Sequence, residues 1–348
     1  MATRQDGYLA YVSILTKTAR GIYGIARRLP LIIGLSATGW IAYSAFRTRD
    51  QIPLPDPLGS DLRIIETPTS GAIALHESVN RHQQVESPPV LLVHGVNAAA
   101  SSVEMLPLFH QVEHHRHTVA MDLPGFAHSE RGRRQYTPDL MANAIVSALD
   151  SIGRPCHVVA LSLGAEFAAR AASNRPDLVQ SLTLISPTGM GSKLRGEPDT
   201  ASPFDRILDI GPVAQAMFDL LVTEASINYF LSKSFVGEVD PALSGFAVVS
   251  GKQVGARHAP VAFLKGTLFT ADALDALYHP LTVPTLVLYD RDAYTDFALL
   301  PEFVSGGGPM RRAERIPDTN GLPQFDRPDA TVDAIFKFWK EVEGHLTA

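Results

Sequence analysis

Between Val90 and Tyr289 the chain alternates short, largely apolar runs with longer stretches whose apolar positions recur every three or four. The short runs are Val90–Val93, Thr118–Met121, Val158–Ala160, Leu182–Ile185 and Leu286–Tyr289. Such runs fit strands of a parallel sheet covered on both faces. Helices are predicted between them over Val103–Val112, Pro138–Ser151 and Ala165–Ser173. Earlier in the chain, Leu62–Glu66 and Ala72–Ser78 flank the turn Pro68-Thr69-Ser70-Gly71, which predicts an antiparallel start. Near the end, Val332, Ile335, Phe336 and Trp339 recur at helical spacing, with Pro328 and Asp329 suited to the first turn. The alternation predicts an α/β fold: a mostly parallel central sheet with flanking helices.

Residues 190–280 break the alternation. Phe204, Ile207, Leu208, Ile210, Met217, Phe218, Leu221 and Phe230 lack strand periodicity and predict a helical lid over the carboxyl edge of the sheet. The expected layout is an N-terminal segment over 1–50, a Pro-rich connector over 51–61, a core over 62–189 and 281–348, and a lid over 190–280.

The N-terminal segment stands apart in charge and hydropathy. Net charge is −6 for 348 residues, yet residues 1–50 hold seven Lys/Arg against two acids. Leu29–Phe46 carries no charge and is bordered by Arg27, Arg28 and Arg47. As a helix it would span about 27 Å, near the ~30 Å of a hydrocarbon core. This predicts an uncleaved membrane anchor, single-pass or peripheral, with Tyr8–Ala26 lying in the headgroup layer. The basic residues ahead of the span favour a main domain outside the cytoplasm. The acidic remainder gives no reason to expect a nucleic-acid partner. A single cysteine, Cys156, excludes an intrachain disulfide framework and a cysteine-rich metal site.

The candidate chemistry centres on Ser162. His157 to Phe167 reads as strand, sharp turn and helix, with Ser162 in the turn and Gly164 two residues on. A nucleophile elbow needs small residues two before and two after the serine, and Ala160 takes the first place instead of glycine. Val90-Leu91-Leu92-Val93-His94-Gly95-Val96-Asn97 ends a second strand in a loop of small residues. In an acyl-transfer enzyme this loop and the residue after the nucleophile supply oxyanion N–H groups, which selects the Val96 and Leu163 amides. Asn97 either adds a side-chain donor or caps the next helix. His94 is expected to be structural, and Asp122-Leu123-Pro124-Gly125-Phe126 to shape a turn. Glu166 is expected to pair with Arg170 along the helix surface. His110, His114, His115 and His117 read as a solvated helix end.

Taken together, His94-Gly95, Asp122 to Phe126, Ala160 to Gly164 and Leu286 to Asp292 resemble the α/β-hydrolase superfamily over residues 60–340. The resemblance implies an α/β-hydrolase fold with a lid, and hydrolysis of an ester, thioester or other acyl bond without metal or cofactor. It implies that the catalytic acid follows the seventh strand, where Asp292 is preferred to Asp290. It places the histidine at position 321, which is Gly321. Replacement bases are sought in His128, His258 and His279, with Asp318 close by in sequence. Two functions follow: a membrane-associated serine hydrolase acting on an acyl or lipid-like substrate through Ser162, or a catalytically impaired relative that binds lipid or a protein partner.

Overall fold

The computed structural model describes residues 30–47, 53–79, 87–192, 203–308 and 310–346. Its centre is an eight-stranded sheet: β1 (Asp61–Thr67), β2 (Gly71–Glu77), β3 (Val90–Val93), β4 (Thr118–Asp122), β5 (Cys156–Leu161), β6 (Val179–Ile185), β7 (Thr285–Arg291) and β8 (Arg311–Asn320). The spatial order is β1-β2-β4-β3-β5-β6-β7-β8. The β1–β2 and β2–β4 pairs are antiparallel, and every later pair is parallel.

Burial follows the two-residue period of the strands. Leu91, Val93, Val158, Ala160 and Val287 enter one apolar cluster, and Val90, Leu92, Val159, Leu161 and Leu288 enter the cluster on the opposite face. The first is covered by α3 (Pro138–Ile152) and α4 (Gly164–Asn174), the second by α2 (Leu106–Val112) and α12 (Pro328–Leu346). Local chemistry sets the limits of α3. The Thr137 hydroxyl caps its start through Leu140 N–H, and Gly153, at φ +76°, closes it in the left-handed conformation.

Among the described residues five α-helices lie between β6 and β7: α5 (Pro203–Asp209), α6 (Gly211–Leu221), α7 (Glu224–Leu231), α8 (Pro241–Gly251) and α9 (His258–Leu264), followed by a π-helical turn over Leu274–Tyr278. After β7 come α10 (Leu300–Ser305), β8 and the short α11 (Pro323–Asp326).

The single-pass anchor expected over Leu29–Phe46 is corrected. Among the described residues no helix is long and apolar enough to cross a membrane. The helix found here, α1 (Pro30–Phe46), has 17 residues and packs against α6. Trp40 Nε1 donates to the Ala216 carbonyl at 3.0 Å, and Ser44 is buried. The packing on α6 gives this helix a protein-facing side and lends no support to a lipid-surrounded span. Tyr8–Ala26, Arg27, Arg28, Arg49, residues 51–52 of the connector and residues 193–202 of the lid lie outside the described residues.

Candidate active site

The turn between β5 and α4 holds Ser162 at φ +52°. That left-handed conformation costs a non-glycine residue roughly 1–3 kcal/mol and persists only where surroundings enforce it. The Ser162 N–H donates to Ile185 O at 2.9 Å, tying the turn to the end of β6. Gly164 permits the close approach that follows, because a Cβ there would stand 2.3 Å from the His94 carbonyl oxygen. Ala160, buried in the sheet between Val93 and Leu184, is accommodated where glycine is usual. The Ser162 side chain is half-buried and has no hydrogen-bond partner among the described residues.

The loop after β3 lies against this serine. An ideal Cβ on Gly95 would be 3.3 Å from Ser162 Cβ. His94 has the structural role expected of it: Nε2 accepts from Leu123 N–H at 2.9 Å and Nδ1 donates to Gly95 O at 2.6 Å. Complete burial lowers its pKa and keeps it neutral. Asn97 Oδ1 accepts from Ala99 N–H at 2.8 Å, so this side chain shapes the loop. The Val96 and Leu163 residues are buried, and among the described residues neither backbone N–H is taken by an acceptor.

Asp292 follows β7. Its Oδ1 accepts from the N–H groups of Tyr294 at 2.6 Å and Thr295 at 3.2 Å. The β7–β8 register slips between the Tyr289–Arg315 and Arg291–Asn320 pairs, which carries Gly321 alongside Asp292. A Cβ on Gly321 would stand 3.0 Å from Asp292 Oδ2. Position 321 therefore borders the carboxylate, but its φ of +93° suits glycine and strains any side-chain-bearing residue. Asp290 is otherwise engaged. It accepts from Arg315 Nε at 2.6 Å and Thr319 N–H at 3.1 Å, and these contacts outweigh burial and hold its pKa below the ordinary range.

None of the four replacement bases bonds to Ser162. His128 Nδ1 lies 3.3 Å from Asp122 Oδ2, and its ring stacks on Phe246. His258 opens α9, where burial and then Arg257 and Arg133 lower its pKa. His279 is corrected by position. It pairs with Asp275 at 2.8 Å, and its carbonyl accepts from Arg311 at the start of β8, the opposite end of the parallel strands from Ser162. Asp318 is exposed and bonds Arg327 at 3.1 Å.

Two further carboxylates depart from the sequence reading. Glu166 is buried and accepts from the Thr188 hydroxyl and from Thr270 N–H at 2.8 Å, while Arg170 pairs with Asp139 at 3.1 Å. The helix-surface pair expected there does not form. Glu104 was not singled out in the sequence at all. It lies in a 3-10 turn over Ser102–Met105 and is 4% exposed. Its Oε2 accepts from Gly95 N–H at 2.8 Å and Oε1 from Asn97 Nδ2 at 2.6 Å. Burial pushes its carboxyl up to about 7. Its backbone carbonyl accepts from Gln324 Nε2 at 3.0 Å. A lone acid in the apolar stretch from Val103 to Phe109 is the only signal the sequence offers for it.

Among the described residues, the donor atoms of His76, Asp122 and His128 lie within 4.8 Å of one another, close enough for a metal ion. Hydrogen bonds already engage them: Asp122 also accepts from Ser102 N–H at 2.8 Å and His128 N–H at 3.1 Å, and His76 Nδ1 meets Ser60 Oγ at 3.0 Å. The exposed His110, His114 and His115 fit the solvated helix end expected of the four histidines, whereas His117 is half-buried with Nε2 3.5 Å from Glu77.

A mostly parallel sheet with a strained serine at the carboxyl end of a central strand defines a hydrolase-type α/β architecture. The chain belongs to the alpha/beta hydrolase family, whose sequence profile matches residues 90–334. No curated protein matches the sequence. Among solved structures, it is similar to a bacterial membrane phospholipase A described as a virulence factor, at 21% identity and TM-score 0.60, covering 96% of this chain and 98% of that one. It is also similar to a thermophilic esterase from Thermogutta terrifontis, at 21% identity and TM-score 0.62, covering 81% and 99%. A putative lipase from Acinetobacter baumannii AYE aligns at 17% identity and TM-score 0.61, covering 83% and 93%. At these identities the likeness shows the fold alone.

Proposed function

We propose that the protein is a membrane-associated serine hydrolase that cleaves an ester, thioester or lipid-like acyl bond. Ser162 is the nucleophile, the Val96 and Leu163 amides receive the oxyanion, and Asp292 is the acid beside position 321. The observation that carries this reading is the strained Ser162 backbone, held at φ +52° against the oxyanion loop. Such strain concentrates where function requires it. The apolar α1 helix, the basic excess of residues 1–50 and the fold shared with a membrane phospholipase A support a peripheral lipid surface as the working site.

A second reading is favoured by Gly321: a catalytically impaired relative that binds lipid or a protein partner. An unactivated serine hydroxyl is a weak nucleophile at neutral pH. Intact-mass detection of a fluorophosphonate adduct separates the two readings. One adduct on the wild-type protein and none on Ser162→Ala supports the hydrolase. A folded wild-type protein that takes no adduct supports the binder.

A further inference from the structure

A serine nucleophile needs a proton acceptor, and position 321 supplies none. Gly95 has no side chain, and two groups lie against it. An ideal Cβ at Gly95 would lie 3.3 Å from Ser162 Cβ and 3.2 Å from Glu104 Oε2. Ser162 Cβ and Glu104 Oε2 are therefore no more than about 6.5 Å apart, a separation that one water can bridge. The carboxylate is held in place rather than free to turn. Gly95 N–H and Asn97 Nδ2 fix its two oxygens, and Gln324 Nε2 anchors its backbone carbonyl. Gln324 is fully buried, and its Oε1 has no partner among the described residues, so polar capacity beyond the protein's own bonds remains in this part of the structure.

We propose that Glu104 is the general base of Ser162, in place of the histidine that Gly321 does not provide. The inference rests on Ser162 being the nucleophile. In acylation the Ser162 O–H bond breaks and its proton passes to Glu104. A bond forms from Ser162 Oγ to the acyl carbon, and the leaving group departs with the proton from Glu104. In deacylation water gives a proton to Glu104 and its oxygen to the acyl carbon, and Ser162 recovers that proton on release. Val96 and Leu163 N–H groups take the oxyanion in both steps.

The surroundings suit a carboxylate that titrates near neutrality. Burial raises it, and the bonds from Gly95 and Asn97 only partly offset this. Of the packed elements, β3 is followed by the neutral His94 and β4 ends in Asp122, whose bonds go to Ser102, His76 and His128. The α8 helix has no titratable side chain, α2 has only the exposed His110, and Asp326 of α11 accepts from Val236 and Asn320 N–H.

The test is the rate of fluorophosphonate labelling at Ser162 from pH 5 to 9, on the full chain. For the wild type the rate is expected to rise about tenfold per pH unit below about 7 and then level off. Glu104→Gln keeps an acceptor for Gly95 N–H but cannot take a proton. It is expected to label at least about 100-fold more slowly, with no inflection. A folded Glu104→Gln protein that labels at the wild-type rate, with the wild-type profile, overturns the proposal. If Glu104→Gln does not fold, the His128→Gln/His258→Gln double variant decides. An inflection that persists there supports Glu104, and one that disappears overturns it. Absence of any Ser162 adduct on folded wild-type protein instead defeats the hydrolase reading on which the inference stands.

Discussion

At position 321 the backbone and the carboxylate beside it make opposing demands. Asp292 Oδ2 would sit 3.0 Å from a Cβ there, so an imidazole would have an orienting partner. The φ of +93° nevertheless disfavours any L side chain. Gly321→His is therefore expected to lose about 1–3 kcal/mol of unfolding free energy in urea titrations. Its fluorophosphonate labelling is expected not to exceed the wild-type rate. Faster labelling at full stability would show that the loop still accommodates a histidine. The same residues mark the limits of reading a sequence. Ser162 and Gly164 were legible because an elbow is local: strand, turn and helix follow one another within a few residues. Asp292 came from the family resemblance, which puts an acid after the seventh strand, and the fold sets it beside position 321. Glu104 was not, because its burial and partners come from Gly95, Asn97 and Gln324, which only tertiary folding brings to it.

At the scale of elements, the interior strands were legible from their apolar runs, whereas β8 was not. Its ten residues, Arg311–Asn320, are mostly exposed or half-buried and rich in charge, as befits an edge strand. Its position comes from pairing with β7 rather than from its own pattern. The joint between β5 and α12 makes a measurable prediction. His157 is fully buried, with Nδ1 2.7 Å from Ser181 Oγ, Nε2 2.9 Å from Glu343 and its ring stacked 4.8 Å from Trp339. Burial pushes its pKa down to about 4, against the opposing pull of Glu343. The unfolded histidine binds a proton near pH 6.5, and the folded one does so only near 4. Between those values the unfolded state holds more protons, so folding stability is lost as pH falls through this window. The full loss is about 3 kcal/mol. His157→Gln lacks this titration. Urea unfolding at pH 6.5 and pH 4 is expected to show a drop smaller by about that amount than in the wild type. Equal drops in both proteins would place the acid sensitivity elsewhere.

At the scale of the whole molecule, α1 packs on α6, one of the helices between β6 and β7. Trp40 bonds the α6 backbone at Ala216, so α1 is tied to α6 rather than to the sheet. Tyr43 and Phe46 remain exposed on α1, Phe46 at 88%, and Ile207, Ile210 and Leu220 are exposed on or beside α5 and α6. Scattered apolar residues on a surface need no explanation, but these accompany a segment with seven basic and two acidic residues. The two features act in the same direction at an anionic bilayer. Each basic residue near such a surface contributes about 1 kcal/mol at moderate salt, and each buried aromatic side chain roughly 1.5–3 kcal/mol. The full chain is expected to co-float with phosphatidylserine-rich vesicles and to bind them less as salt rises. Tyr43→Ser/Phe46→Ser should lower that partitioning by at least about tenfold while leaving fluorophosphonate labelling in detergent unchanged, because neither residue is among those that hold Ser162. Loss of salt dependence without loss of binding would leave apolar contact as the main force. Wild-type binding by the double variant would remove α1 from the membrane contact and leave its packing on α6 as its whole role.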